Sequence, residues 1–219
     1  MEDLKILQNL KLFNNFDEDQ LKEIENFLSD IKTYKNRKII FNIGDEINYF
    51  GILLSGQVDL AIEDAFGNKT ILSKLSAPAL FAESVLIKNV DEIPLSVISS
   101  SDAKIVFFDY LSYKSSNLSS KEKLQDNLIK ILANKNLFMR DKLNLLSLPD
   151  SRSKILYFLS NESRKNNSKY FTIDFNITEL AQFLNLNRSS LSRELSKLKK
   201  KVSLTMTTRP SVFYNYSLF

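Results

Sequence analysis

The chain has no cysteine and no histidine, and only four glycines and four prolines among its 219 residues. Without cysteine there is no disulfide, no thiolate nucleophile and no thiolate-held iron–sulfur cluster. Without histidine there is no imidazole base, no histidine-ligated haem and, with cysteine absent too, no structural zinc site. Serine or carboxylate catalysis survives these exclusions, but no residue pattern points to it, so no enzyme is expected. No apolar run approaches the roughly 18 to 20 residues of a membrane-spanning helix. The start MEDLKILQNLKLF lacks the basic and apolar regions of a secretory signal. The expected location is the cytoplasm, with no membrane partner and no metal.

What is present fits a folded chain, 43% hydrophobic and 26% charged, with length for two modest domains. The net charge of +4 is unevenly spread. Residues 1–149 carry 18 basic and 21 acidic side chains, net −3, and residues 150–219 carry 12 and 5, net +7. A basic C-terminal segment behind an acidic body suits a sensor joined to a nucleic-acid reader. A solvated basic face is the plainer reading of the charge alone.

Residues 3–32 have the spacing of short amphipathic helices. From Ile39 the period shortens. Lys38 to Ile43, Gly51 to Ile62, Thr70 to Leu75, Leu95 to Ser99 and Lys104 to Asp109 are short and β-branched or aromatic, separated by Gly44-Asp45, Gly56, Gly67-Asn68 and Ser100 to Asp102. They predict a small antiparallel barrel or roll. Residues 119–147, without Pro or Gly and with Ser119 or Ser120 to cap, predict the longest helix. On it Leu124, Leu128, Ile131, Phe138 and Leu145 follow a 3–4 spacing that Lys135 and Lys142 interrupt. The stripe suits the seam of a two-stranded coiled coil; the other reading is a helix packed on its own barrel. Leu148-Pro149-Asp150 breaks the helix as a hinge, and helical period resumes from Arg152 to Lys165.

After a strand at Tyr170 to Ile173 comes the most informative stretch. Asn176 with Glu179 three residues on is a capping box that starts a helix at Ile177. Leu180, Phe183 and Leu184 give that helix an apolar face, and Ala181 leaves room for a crossing helix. Asn185-Leu186-Asn187 makes a turn, and a second helix runs from Arg188 to about Lys200. Two short helices joined by three residues are a helix-turn-helix. In the second helix Leu191, Leu195 and Leu198 point inward, leaving Arg188, Ser189, Ser192, Arg193 and Ser196 outward, with Ser190 beside them. Arginine pairs bidentately with guanine and serines bond bases or phosphates, while Lys197, Lys199, Lys200 and Lys201 add phosphate attraction.

The order of parts resembles the Crp/Fnr family of bacterial regulators, from about residue 5 to residue 200. The resemblance rests on INYFGILLSGQVDLAIEDAFGNKTIL, with Gly44, Gly56 and Gly67 at the family's turns, and more specifically on ITELAQFLNLNRSSLSRELSKL. It implies an α+β fold. A cyclic-nucleotide-binding-like antiparallel β-roll, a double-stranded β-helix, would occupy residues 1–118, a dimerisation helix 119–147 and a winged helix-turn-helix 150–219. It also implies a homodimer on double-stranded DNA with an inverted repeat, RNA polymerase as a further partner, and Arg188, Ser189, Ser192 and Arg193 in the base- and phosphate-contacting places.

Two departures accompany it. Nucleotide-binding members hold ribose and phosphate with a Gly-Glu pair and a following Arg-Ser. Here the stretch FAESVLIKNVDEIPLSV has Ala82-Glu83 and then Asp91-Glu92-Ile93-Pro94. With the cation missing, no cyclic AMP binding is expected, and Ala82, Glu83 and Pro94 remain as lining for an unknown small effector. Glu83 has a second reading, a structural role in closing the roll. The tail KKKVSLTMTTRPSVFYNYSLF lacks the glycine and hairpin of a wing. Codons permitted from Val202 onward, read one base out of phase, can give Gly-Leu-Ile-Asp-Tyr-Asp-Asn-Lys-Thr-Phe-Ser-Ile-Leu, which has both. The expectation is a shifted frame from about Val202, and the coding strand through Lys199 to Val202 checks it. The competing function is an effector-binding or dimerising module that has lost DNA binding. A cupin-like oxygenase is the third reading, and its sites rely on the absent histidines.

Overall fold

Asp17 accepts from the Gln20 amide at 2.8 Å while the Gln20 side chain accepts from the Asp17 amide, a capping box that starts helix α1 (Glu18–Glu25). The structure, a computed structural model, describes residues 7–8, 10–63, 69–88, 91–168, 170–201 and 212–215. Strands β1 (Lys32–Tyr34), β2 (Ile39–Phe41), β3 (Phe50–Ser55), β4 (Gln57–Glu63), β5 (Lys69–Ser76) and β6 (Ala79–Phe81) lead to helix α2 (Glu83–Lys88), then to β7 (Ser96–Ser99) and β8 (Ala103–Phe108). β1, β8, β3 and β6 form one antiparallel sheet, and β2, β7, β4 and β5 form another. The two sheets share one apolar core, which is the double-stranded β-helix expected from the resemblance.

Gly51 to Ile62, one run in sequence, is folded in two at Gly56, and its halves enter different sheets. Gly56 has φ +83°, and a Cβ there would lie 2.1 Å from the Asp102 carbonyl oxygen. Gly51 pairs with Phe81 across β3 and β6 and leaves the space that the Phe81 ring fills. Phe41 meets that ring edge-on at 5.9 Å and meets Phe107 at 5.7 Å, and Phe50 and Phe108 form a further tilted pair at 5.1 Å in the same core. β1 and β6 escape the sequence reading because three residues cannot show a period of two.

Helix α3 (Tyr110–Ser115) precedes the long helix α4 (Lys121–Leu146). The Ser120 hydroxyl, expected as a possible cap, bonds the Tyr113 hydroxyl at 2.8 Å in a buried setting. The chain divides into two compact units, Met1–Asn136 and Leu137–Phe219, and α4 contributes residues to each. The second unit continues with α5 (Ser151–Lys165), β9 (Tyr170–Ile173), α6 (Ile177–Leu184), α7 (Arg188–Lys201) and β10 (Val212–Asn215). β10 pairs antiparallel with β9, Val212 opposite Ile173, a strand the sequence reading did not find. The rest of the tail, on which the shifted-frame expectation falls, lies outside the described residues, as do residues 3–6 of the expected N-terminal helices.

Gly56→Ala is expected to lower unfolding free energy by about 1–3 kcal/mol from backbone strain, and by more from the clash with Asp102. Gly44→Ala shares a positive φ, but the nearest atom to its Cβ lies 3.8 Å away, so it should cost less. Thermal unfolding of the two variants checks the order.

Candidate functional site

The reader is assembled from local signals. Asn176 accepts from the Glu179 amide at 2.9 Å and Glu179 accepts from the Asn176 amide at 3.1 Å, so the predicted capping box starts α6. At its other end Asn185 takes the left-handed conformation, φ 51°. The Leu186 amide donates to Ala181 O at 2.9 Å and the Asn185 amide to Gln182 O at 3.3 Å, the paired bonds of a Schellman turn. Leu191 N donates to Asn187 O at 3.0 Å and opens the first turn of α7. Ala181 is buried, in keeping with a close helix crossing.

α7 packs against α5 and α6 with Leu191, Leu195 and Leu198 buried. Its other face presents Arg188, Ser189, Ser192, Arg193, Ser196 and Lys197 to solvent, with Ser190 half-buried. Two of these already have partners. Ser196 Oγ donates to Ser192 O at 2.8 Å, and Lys197 pairs with Glu194 at 2.6 Å, an exposed pair worth little. The arginines have no hydrogen-bond or ion-pair partner among the described residues and stand at the N-terminal half of the helix.

In the first unit the predicted effector residues differ in exposure. Pro94 is exposed, as are Asp91 and Glu92, and their segment is tied to the loop at Gly44 and Asp45 by Gly44 N to Ile93 O and Ile93 N to Asp45 O, each 2.9 Å. Ala82 is half-buried at φ 66°, in the conformation that glycine favours. Glu83 is 1% exposed and receives Lys135 of α4 at 2.6 Å. Sequence reasoning missed this cation, since 52 residues separate the two and Lys135 reads as an interruption of an apolar stripe.

That stripe faces the chain's own core. Leu124 and Leu128 are 0% and 3% exposed, and Ile131 packs beside them on the core of the first unit. In the second unit Leu145 is buried, and the Lys165 ammonium lies over the Phe138 ring. Of the five residues expected at a dimer seam, Leu124, Leu128 and Leu145 are buried within the subunit, while Ile131 and Phe138 keep part of their surface. A 3–4 spacing shows that a face is covered, not by which chain. A neighbouring face of α4, about 100° round the helix axis, carries a second 3–4 series, Ile129, Leu132, Asn136, Met139 and Leu143, with Ile129 63% and Leu143 67% exposed.

Lys142, the other interruption, is buried in the second unit, where its ammonium donates to the Phe183 carbonyl and lies over the Phe183 ring. Phe183 O belongs to the last turn of α6, where a cation is favoured by the helix dipole. Burial, and then the charge of Lys154, nevertheless pushes the Lys142 pKa down to about 7.

Residues 31–114 match the cyclic nucleotide-binding domain family. The chain is similar to the anaerobic regulatory protein of Pasteurella multocida (strain Pm70), 20% identical over 202 residues that cover 84% of this chain and 68% of that one. In fold it is similar to the c-di-GMP responsive global regulator CLP of Xanthomonas campestris, with TM-score 0.77, 16% identity and coverage of 92% of this chain and 100% of the other. It is likewise similar to a CooA mutant of Carboxydothermus hydrogenoformans, with TM-score 0.76, 18% identity and coverage of 95% and 91%. Among the described residues no cluster of three or more acidic side chains could hold a metal ion, and no helix is long and apolar enough to cross a membrane.

Because the folded Lys142 loses its proton near pH 7 and the unfolded one only near 10.5, the unfolded state binds more protons in that window. Its contribution therefore makes stability rise as pH increases from about 7 towards 10.5. Lys142→Met should flatten this rise. Unfolding midpoints measured across the window at fixed salt test it, and an unchanged slope in the variant would contradict it.

Proposed function

We propose that this chain, which carries a cyclic nucleotide-binding domain on the fold of the Crp/Fnr regulators, is a transcription regulator that reads double-stranded DNA as a homodimer through α7. The observation that carries the reading is the exposed set Arg188, Ser189, Ser192 and Arg193 on a helix whose opposite face is buried. Such a helix is anchored on one side and open on the other. Its N-terminal residues are those that reach base edges in a helix-turn-helix, with Ser190, Ser196 and Lys197 at the margins for phosphate. The net +7 of residues 150–219 supplies attraction to the backbone. No catalytic role follows from this arrangement.

The dimer is built on the second 3–4 series of α4. Ile129, Asn136 and Leu143 would fill one set of heptad positions and Leu132 and Met139 the other. A single Asn at such a position favours a defined two-stranded register at some cost in stability. Two copies then present two α7 helices about one helical turn of DNA apart, roughly 34 Å, so the operator is an inverted repeat. The roll does not respond to cyclic AMP, because Asp91 and Glu92 stand where a cation would be needed. The protein acts in the cytoplasm, and RNA polymerase is the partner through which it would alter transcription. The tail from about Val202 is read in a shifted frame.

Selection of duplexes from a random pool by the purified chain is expected to enrich an inverted repeat. Arg193→Ala should then weaken binding about tenfold, within the 1–3 kcal/mol range of a bidentate base contact. Leu143→Asp should give a folded monomer with poor operator affinity, whereas Leu124→Asp should fail to fold, as sedimentation and circular dichroism will report. No enrichment from the pool would favour a module that has lost DNA binding.

A further inference from the structure

Lys135 does more than pair with one carboxylate. Its ammonium donates to Glu83 Oε1 at 2.6 Å and to the Leu80 carbonyl at 2.9 Å. Leu80 lies in β6 and Glu83 begins α2, with Ala82 at φ 66° between them. The lysine thus clasps both sides of the corner where strand passes into helix. The clasp is set in the core, since the Glu83 side chain is 2% exposed and its other oxygen, Oε2, is buried without a partner. Lys135 retains 34% exposure, so the clasp closes one edge of the roll and can open towards solvent.

A carboxylate buried to this degree is costly unless a cation meets it. In this fold the cation comes from α4, the same helix that continues to Leu146 and carries the proposed dimer seam. We propose that Lys135 is the residue that sets effector dependence: it is the roll's internal partner for Glu83, and it holds α4 in the DNA-binding arrangement without any diffusible ligand. The proposal rests on the DNA-binding reading above. A nucleotide or other effector would have to displace an ammonium already tethered at the site, which its effective concentration disfavours. The regulator is therefore active as synthesised, and the state of the clasp governs its output.

The test uses the full chain and its selected operator. Fluorescence anisotropy is recorded for wild type, Lys135→Met and Glu83→Gln/Lys135→Met, without nucleotide and with cyclic AMP or cyclic GMP added. Wild type should bind without nucleotide and be indifferent to both. Lys135→Met should lose about tenfold in affinity, within the usual range of coupling between sites, and should be less stable because it strands a buried carboxylate. The double variant separates a clasp from a merely structural pair. With neither charge present its thermal stability should recover, but its operator affinity should not, and amides of residues 129–143 should exchange faster than in wild type. A double variant that binds like wild type, or a wild type that binds only when nucleotide is added, overturns the proposal. A wild type that binds no duplex under any condition overturns the DNA-binding reading itself, which the exchange rates in α4 then keep distinct from the clasp.

Discussion

An ammonium removed from water costs several kcal/mol unless acceptors meet it, and α4 carries two such groups on the face it turns to the core. Lys135 is met by Glu83 and the Leu80 carbonyl in the first unit. Lys142 is met by the Phe183 carbonyl and ring in the second. Each set of acceptors is specific in position, so each lysine selects one rotation of the helix about its axis. Leucines alone would select it weakly, because apolar contacts are non-directional. The rotation decides which side chains remain outside, and so the exposure of Ile129, Leu137 and Leu143 follows from where the lysines are taken.

The two lysines are held differently. Lys135 faces a carboxylate, and the pair is neutral together. Lys142 donates to a carbonyl at a helix end and lies over an aromatic face, while burial and the charge of Lys154 loosen its proton. The first is a tie between charges and the second a partly compensated burial, which is why one is suited to a clasp and the other to a dependence on pH.

The reader depends on geometry of a more local kind. Asn176 and Glu179 fix where α6 begins, and Asn185 in the left-handed region fixes where it ends. Leu186 N to Ala181 O then redirects the chain so that only three residues separate the end of α6 from the start of α7. With Leu191, Leu195 and Leu198 buried, Arg188 and Arg193 have no inward alternative. The Phe158, Phe175 and Phe183 rings, 4.9–6.2 Å apart, hold this small unit together.

The helix-turn-helix was legible from sequence because every device in it spans five residues or fewer: a capping box, a turn residue and an i, i+4 series. The roll was legible as a class, since short β-branched runs between glycines have few other solutions. Its three-residue strands β1 and β6 were not, being too short to show alternation. The strand at Val212–Asn215 was not either, because its partner residues lie 39 to 45 positions away and no local signal announces it. The two apolar series of α4 were equally visible, yet the one interrupted by lysines proved to be the core-facing one. Periodicity records that a face is covered. What covers it is settled by long-range charge pairing such as Lys135 with Glu83, which exists only once the chain has folded and brought the two together.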